Sequence, residues 1–206
     1  MSKGRVEAFS DGVFAIAITL LVLTIAQPQR YEDLTGQLVD RWPALAAYVV
    51  SFAVIGIMWL NHHSIFGHFA RVDRGLVYCN LLLLLTVAFI PYPTGIFGEA
   101  LRHGRGDRVA AIVYSATMAV NAYAWAGLWL YASTGRRLLS DAFPEAMRGM
   151  SSLLFSVGTV AYTASVGVAL INPYACLAFH GLLAVYYALD PLSRRAARRV
   201  PPPAGS

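Results

Sequence analysis

Arg5–Ile25, RVEAFSDGVFAIAITLLVLTI, is the stretch on which the reading of this chain turns. Four charged positions from Lys3 to Asp11 give way to an uncharged run, Gly12 to Gln29. About 20 apolar residues carry a helix across about 30 Å of hydrocarbon. Lys3 and Arg5 ahead of an apolar run also suit a cleaved leader. Against that, Glu7 and Asp11 sit where a leader is basic and then apolar, and no small-residue cleavage site precedes Arg30. The expectation is a retained helix that starts near Arg5.

Working outward, the same pattern recurs. Uncharged gaps run from Trp42 to Ala70, Gly75 to Gly98 and Val109 to Gly135, and a last one, Gly149 to Leu189, covers 41 residues. As a single helix that gap would measure roughly 60 Å at about 1.5 Å per residue, twice a membrane. It contains Asn172-Pro173, a turn pair whose proline pushes the residue before it out of the helical region. Divided there, the chain has six spans. Composition agrees: of 206 residues, 57% are hydrophobic and 13% charged, with a mean hydropathy of +0.55, against about 25% charged in an ordinary soluble domain. Disorder is excluded, and a soluble enzyme or a nucleic-acid binder is disfavoured. The expected fold is an all-α membrane protein, with residues 1–192 forming a six-helix domain and residues 193–206 a basic, Pro-rich tail.

The net charge of +5 reads as topology rather than nucleic-acid binding. One side would hold Lys3 and Arg5, the 2–3 connection (Arg71, Arg74), the 4–5 connection (Arg136, Arg137, Arg148) and the tail (Arg194, Arg195, Arg198, Arg199). The other would hold Arg30, Arg41, Arg102, Arg105 and Arg108. The excess on the first side puts both termini in the cytoplasm of a cell membrane.

Enzyme signatures are missing: GxGxxG, Walker A, HExxH and GxSxG patterns do not occur, nor does a TVGYG filter. Cys79 and Cys176 lie in apolar stretches and read as packing. His62 and His63 are adjacent and point about 100° apart on a helix, which does not suit joint ligation of an ion. His68 is also off His62's face, and His103 falls in a loop. His180 falls inside the sixth span, where a polar side chain faces protein or water. No cofactor is implied.

Asp11 admits two readings. It is an interfacial acid favoured by the helix dipole, or it pairs with a group on another helix, with His62, His63 and Asn80 as candidates. Beyond it, Ile16, Leu20 and Leu23 recur at i, i+4 and i+7 and form one stripe about 10 Å long, with Thr19 beside it. From periodicity alone such a stripe is ordinary helix packing.

The pattern Arg5-xxx-Phe9-Ser10-Asp11 and the run that follows it, together with Trp59-Leu-Asn-His62-His63 in the second span, resemble the endosomal and lysosomal transmembrane potassium channels in their bacterial branch. The resemblance implies six helices per subunit and a homotetramer whose four first helices line a central pore. Ile16, Leu20 and Leu23 would form its apolar constriction, with Thr19 as a hydroxyl layer. Arg5, Phe9, Ser10 and Asp11 would join His62, His63 and Asn80 in a network that holds the pore helix. Monovalent cations would pass, with potassium moderately preferred. A human relative carries two such repeats, whereas this chain has one copy of the motif, so a pore requires assembly. The rival reading is a proton-coupled transporter relaying through Asp11, His62, His63 and His180, although the paired broken-helix repeats usual in transporters are absent.

Overall fold

A computed structural model of the chain describes residues 2–28, 32–141, 143 and 145–189; for residues 136, 145–147, 150 and 154 it describes the backbone alone. The tail expected at residues 193–206 lies outside the described residues.

The uncharged gaps are helices. α1 is Lys3–Leu20, continued by a 3-10 turn at Leu21–Thr24, and α2 is Leu34–Asp40. α3 is Trp42–Gly67, α4 Arg74–Phe89 and α5 Pro91–His103. α6 is Asp107–Ser133, α7 Glu145–Ile171 and α8 Pro173–Leu189. Five stretches among the described residues are long and apolar enough to cross a membrane: Lys3–Thr24, Trp42–Gly67, Arg74–His103, Asp107–Ser133 and Ser151–Ile171. α8, with 17 residues, is at the short end of the spanning range of about 17–25.

Two features depart from the expected count of elements. The third span is longer than Gly75–Gly98 and is made of two helices, α4 and α5. Pro91 and Pro93 have no N–H to donate, so the helical ladder is interrupted beside Ile90. There the Ile90 N–H takes a tighter step back to Val87 O at 3.1 Å. The stretch ends at Gly104, whose φ of +62° suits a residue without a side chain. The second departure is α2, a short helix in the 1–2 connection capped by Asp33, whose side chain accepts from Gly36 N at 3.2 Å.

The break at Asn172-Pro173 falls as expected. Asn172 Oδ1 accepts from Ala175 N at 3.0 Å and starts α8. α7 and α8 then run antiparallel, with Tyr162 stacked on His180 at 5.7 Å. His180 is fully buried; its Nε2 lies 3.2 Å from Ser115 Oγ, and Cys176 Sγ lies 3.1 Å from the same oxygen. Both residues therefore pack into the interior of α6, α7 and α8. A second buried cluster joins Ser51 to Thr94 (2.9 Å) and to Tyr114 (3.0 Å), tying α3, α5 and α6. Such side-chain bonds hold helices together where lipid supplies no hydrophobic drive between them.

Connections on the same side are joined. Lys3 Nζ donates to Phe69 O at 3.0 Å, Ala70 N to Leu138 O at 2.9 Å and Ser140 N to His68 O at 2.9 Å, which groups the start of the chain with the 2–3 and 4–5 connections. At the opposite end Arg102 pairs with Asp40 at 3.0 Å. Arg41 is buried and donates to Ala26 O and Gln27 O at 2.8 and 2.9 Å.

α5 lies close against α3. A Cβ at Gly98 would stand 2.8 Å from Ala44 Cα, a backbone atom that cannot swing aside. Gly127, in the interior of α6, faces open space. Gly98→Val is therefore expected to destabilise by at least about 1–3 kcal/mol, whereas Gly127→Ala is neutral or stabilising by up to about 1 kcal/mol. Thermal unfolding of the two purified variants checks the contrast; equal midpoints would contradict the close packing of α5 on α3.

Candidate functional site on the first helix

α1 has two unlike faces. Val6, Ser10, Phe14, Ala17 and Leu21 are buried against the rest of the subunit, at the i, i+4, i+8, i+11, i+15 spacing of one helical face. The residues opposite are uncovered: Ile16 is 61% exposed, Leu20 42% and Leu23 76%, and Thr19, Gly12 and Arg5 are exposed with them. Only 28% of this span is buried, half the 56% of α6.

Greasy side chains facing outward are ordinary in lipid. Polar ones are not. Thr19 breaks the apolar stripe between Ile16 and Leu23. Its hydroxyl donates back to Ala15 O and Ile16 O, each at 2.9 Å, so its proton is spent within the helix and its lone pairs face away. The 3-10 turn ends the helix at Thr24, where Thr24 Oγ1 donates to Leu21 O at 2.7 Å. The chain then becomes extended at Ile25. Gly95 admits α5 to this end: a Cβ there would stand 2.9 Å from Thr24 Cβ.

On the inner face, the His62 Nε2–H donates to Asn80 Oδ1 at 2.9 Å, Asn80 Nδ2 donates to Ser10 Oγ at 3.0 Å, and Ser10 Oγ donates to Val6 O at 2.9 Å. This unbranched chain crosses α3, α4 and α1, and its three side chains are at most 1% exposed. The His62 ring stacks on Phe66 at 4.2 Å and meets the edges of Phe14 (5.4 Å) and Trp125 (6.2 Å).

Asp11 takes no part in that chain. Ser10 already faces inward, and the next residue is turned about 100° away. Asp11 Oδ1 accepts from Trp59 Nε1 at 2.9 Å, not from His62, His63 or Asn80. His63 lies against Trp59 at 6.5 Å. Phe9 is 57% exposed and Arg5 is exposed, so neither joins the buried chain. Three of the seven residues expected to form one network, Ser10, His62 and Asn80, are brought together inside the subunit. Trp59 and Arg41 were not singled out for their contacts; tryptophan's single donor beside an intramembrane acid was the available signal for the first. His180 is bonded to Ser115 on the far side of the bundle, apart from Asp11 and His62. Among the described residues no group of three or more His, Cys, Asp or Glu is placed to hold a metal ion.

Comparison with known proteins identifies the family. Residues 5–91 match the family described as endosomal/lysosomal potassium channel TMEM175. A potassium channel of Streptomyces collinus is 46% identical over 190 residues, covering 91% of this chain and 92% of that protein. The human protein named endosomal/lysosomal proton channel TMEM175 is 40% identical over 101 residues, which cover 44% of this chain and 20% of the human one. A crystal structure of a lysosomal potassium-selective channel TMEM175 homolog from Chamaesiphon minutus superposes with a TM-score of 0.83 at 38% identity, covering 91% of this chain and 97% of that one. The shared helical architecture and the near full-length identity to the Streptomyces protein place the chain in the TMEM175 potassium channel family.

Proposed function

We propose that the chain is one subunit of a homotetrameric, potassium-preferring cation channel of a prokaryotic cell membrane, with four copies of α1 around a central pore. The observation that carries this is the uncovered face of α1, where Thr19 interrupts an apolar stripe that its own subunit leaves bare. In a four-fold assembly that stripe would turn to the shared axis, and the Thr19 oxygens would supply a polar layer there. Around that axis Ile16, Leu20 and Leu23 form successive apolar rings, and rings of this kind oppose ions by dewetting. K⁺ holds its hydration water less tightly than Na⁺, so a constriction that strips part of the shell favours K⁺ modestly. Thr19 oxygens offset part of that loss. The sidedness of Lys and Arg supports cytoplasmic termini.

The relatives named above are channels. A transporter relay through Asp11, His62, His63 and His180 gains no support from the geometry, in which His62 is bonded to Asn80, His180 to Ser115 and Asp11 to Trp59.

The test is a planar-bilayer recording of the purified protein under opposed KCl and NaCl. The expected reversal potential lies toward the K⁺ equilibrium potential. A reversal potential that follows an imposed pH gradient instead overturns the potassium preference, in keeping with the proton-channel name of the human relative.

A further inference from the structure

Between α4 and α6 runs a groove of about 610 Å³, on a different face from the buried polar chain and the α1 stripe. Its walls are apolar: Leu82 from α4 and Val120, Leu128 and Leu130 from α6, with Gly127 opening the floor. Leu82, Val120 and Leu130 are each more than half exposed. From Val120 to Tyr131 the α6 wall rises roughly 16 Å at about 1.5 Å per residue, close to one leaflet of a hydrocarbon core about 30 Å thick.

One end of the groove is charged. Arg137 lines it with Tyr131 and Thr134, its guanidinium lying 5.2 Å over the Tyr131 ring and 3.2 Å from Asp73. Arg71 donates to Arg137 O at 3.1 Å, and Arg74 opens α4 beside Asp73. Asp73 caps α4 by accepting from Leu76 N at 2.9 Å and takes the Tyr131 hydroxyl at 3.0 Å. The Leu76 bond, then that of Tyr131 and the charge of Arg137, hold its carboxyl below the usual range. It therefore stays ionised and fixes Arg137 at the rim, while the arginine side chain remains 57% exposed.

We propose that this groove binds an anionic phospholipid of the leaflet on the N-terminal side, with one acyl chain along the α4–α6 walls and the phosphate at Arg137. The chemistry selects the occupant. An apolar trough one leaflet long suits an acyl chain, and an arginine at its membrane-surface end suits a negative headgroup. The inference rests on the chain's residence in a membrane and not on its conducting ions.

Native mass spectrometry of the intact assembly, exposed to equal amounts of dioleoyl phosphatidylglycerol and dioleoyl phosphatidylcholine, tests it. The wild type should retain phosphatidylglycerol over phosphatidylcholine by about five-fold, the ratio expected of one arginine facing an anionic lipid. Arg137→Gln should lose the preference and still hold lipid. Gly127→Leu extends into open space without displacing backbone and should lose both lipids. Equal retention by all three proteins overturns the proposal. So does efficient copy-to-copy disulfide formation by Val120→Cys, which would show that a second subunit covers the groove.

Discussion

Cutting Ile16 or Leu23 back to alanine is expected to raise single-channel conductance by about threefold or more and to bring the K⁺/Na⁺ permeability ratio toward one. Both residues stand on the uncovered face of α1, 61% and 76% exposed in the subunit. In the proposed four-fold ring each truncation would act four times, widening the passage and letting hydrated Na⁺ through with its shell intact. Ile18, partly buried against the subunit's own core, serves as the control: Ile18→Ala should leave both quantities unchanged. Thr19→Val keeps the shape and removes the oxygen, so conductance should fall where the alanine changes raise it. Bilayer recordings of the four variants decide the matter. Currents from Ile16→Ala and Leu23→Ala that match the wild type would remove these rings from the permeation path.

That stripe was legible in the sequence as a period, but the direction it faces was not. A helix that is apolar all round gives hydrophobicity no power to say which face is inward, because lipid and protein interior are equally apolar. Small and polar residues carry the information instead. Ser10 and Ala17 mark the packed face of α1, while Gly12 and Thr19 mark the bare one. The spans were legible because charges border them, and the α7–α8 turn because Asn172-Pro173 cannot continue a helix. The division of the third span was written in Pro91 and Pro93, yet the absence of charge across them made α4 and α5 read as one element. α2 has too few residues for a period to show, and its cap, Asp33, is an ordinary loop residue until the fold is known. The partners of Asp11 and Arg41 depend on helices and carbonyls far off in sequence. Trp59 is 48 residues from Asp11, and nothing local signals that Arg41 is buried on the carbonyls of Ala26 and Gln27, 15 and 14 residues earlier.

Breaking the chain of bonds through His62, Asn80 and Ser10 is expected to cost stability and conduction together. Asn80 is its centre: it accepts from His62 and donates to Ser10. Asn80→Ala leaves a buried imidazole N–H without its acceptor and removes the donor to Ser10, at a cost of about 1–3 kcal/mol per subunit for the unsatisfied group. Single side-chain bonds between membrane helices average only about 0.6 kcal/mol, so Ser10→Ala should cost less, particularly as the Ser10 hydroxyl already donates to Val6 O in its own helix. His62→Ala adds a void among Phe14, Phe66 and Trp125 to the lost bond and should rank with or above Asn80→Ala. His62→Gln, whose amide can still donate to Asn80, should recover part of the loss. The order is read from thermal unfolding of the detergent-solubilised assembly. Under the proposed function this chain would set the rotation of α1 about its own axis, and channel activity should then fall in the same order. An Asn80→Ala protein as stable as the wild type would mean that packing alone fixes α1. Stability lost without any change in conduction or selectivity would mean that the bonds hold the helix without setting its rotation.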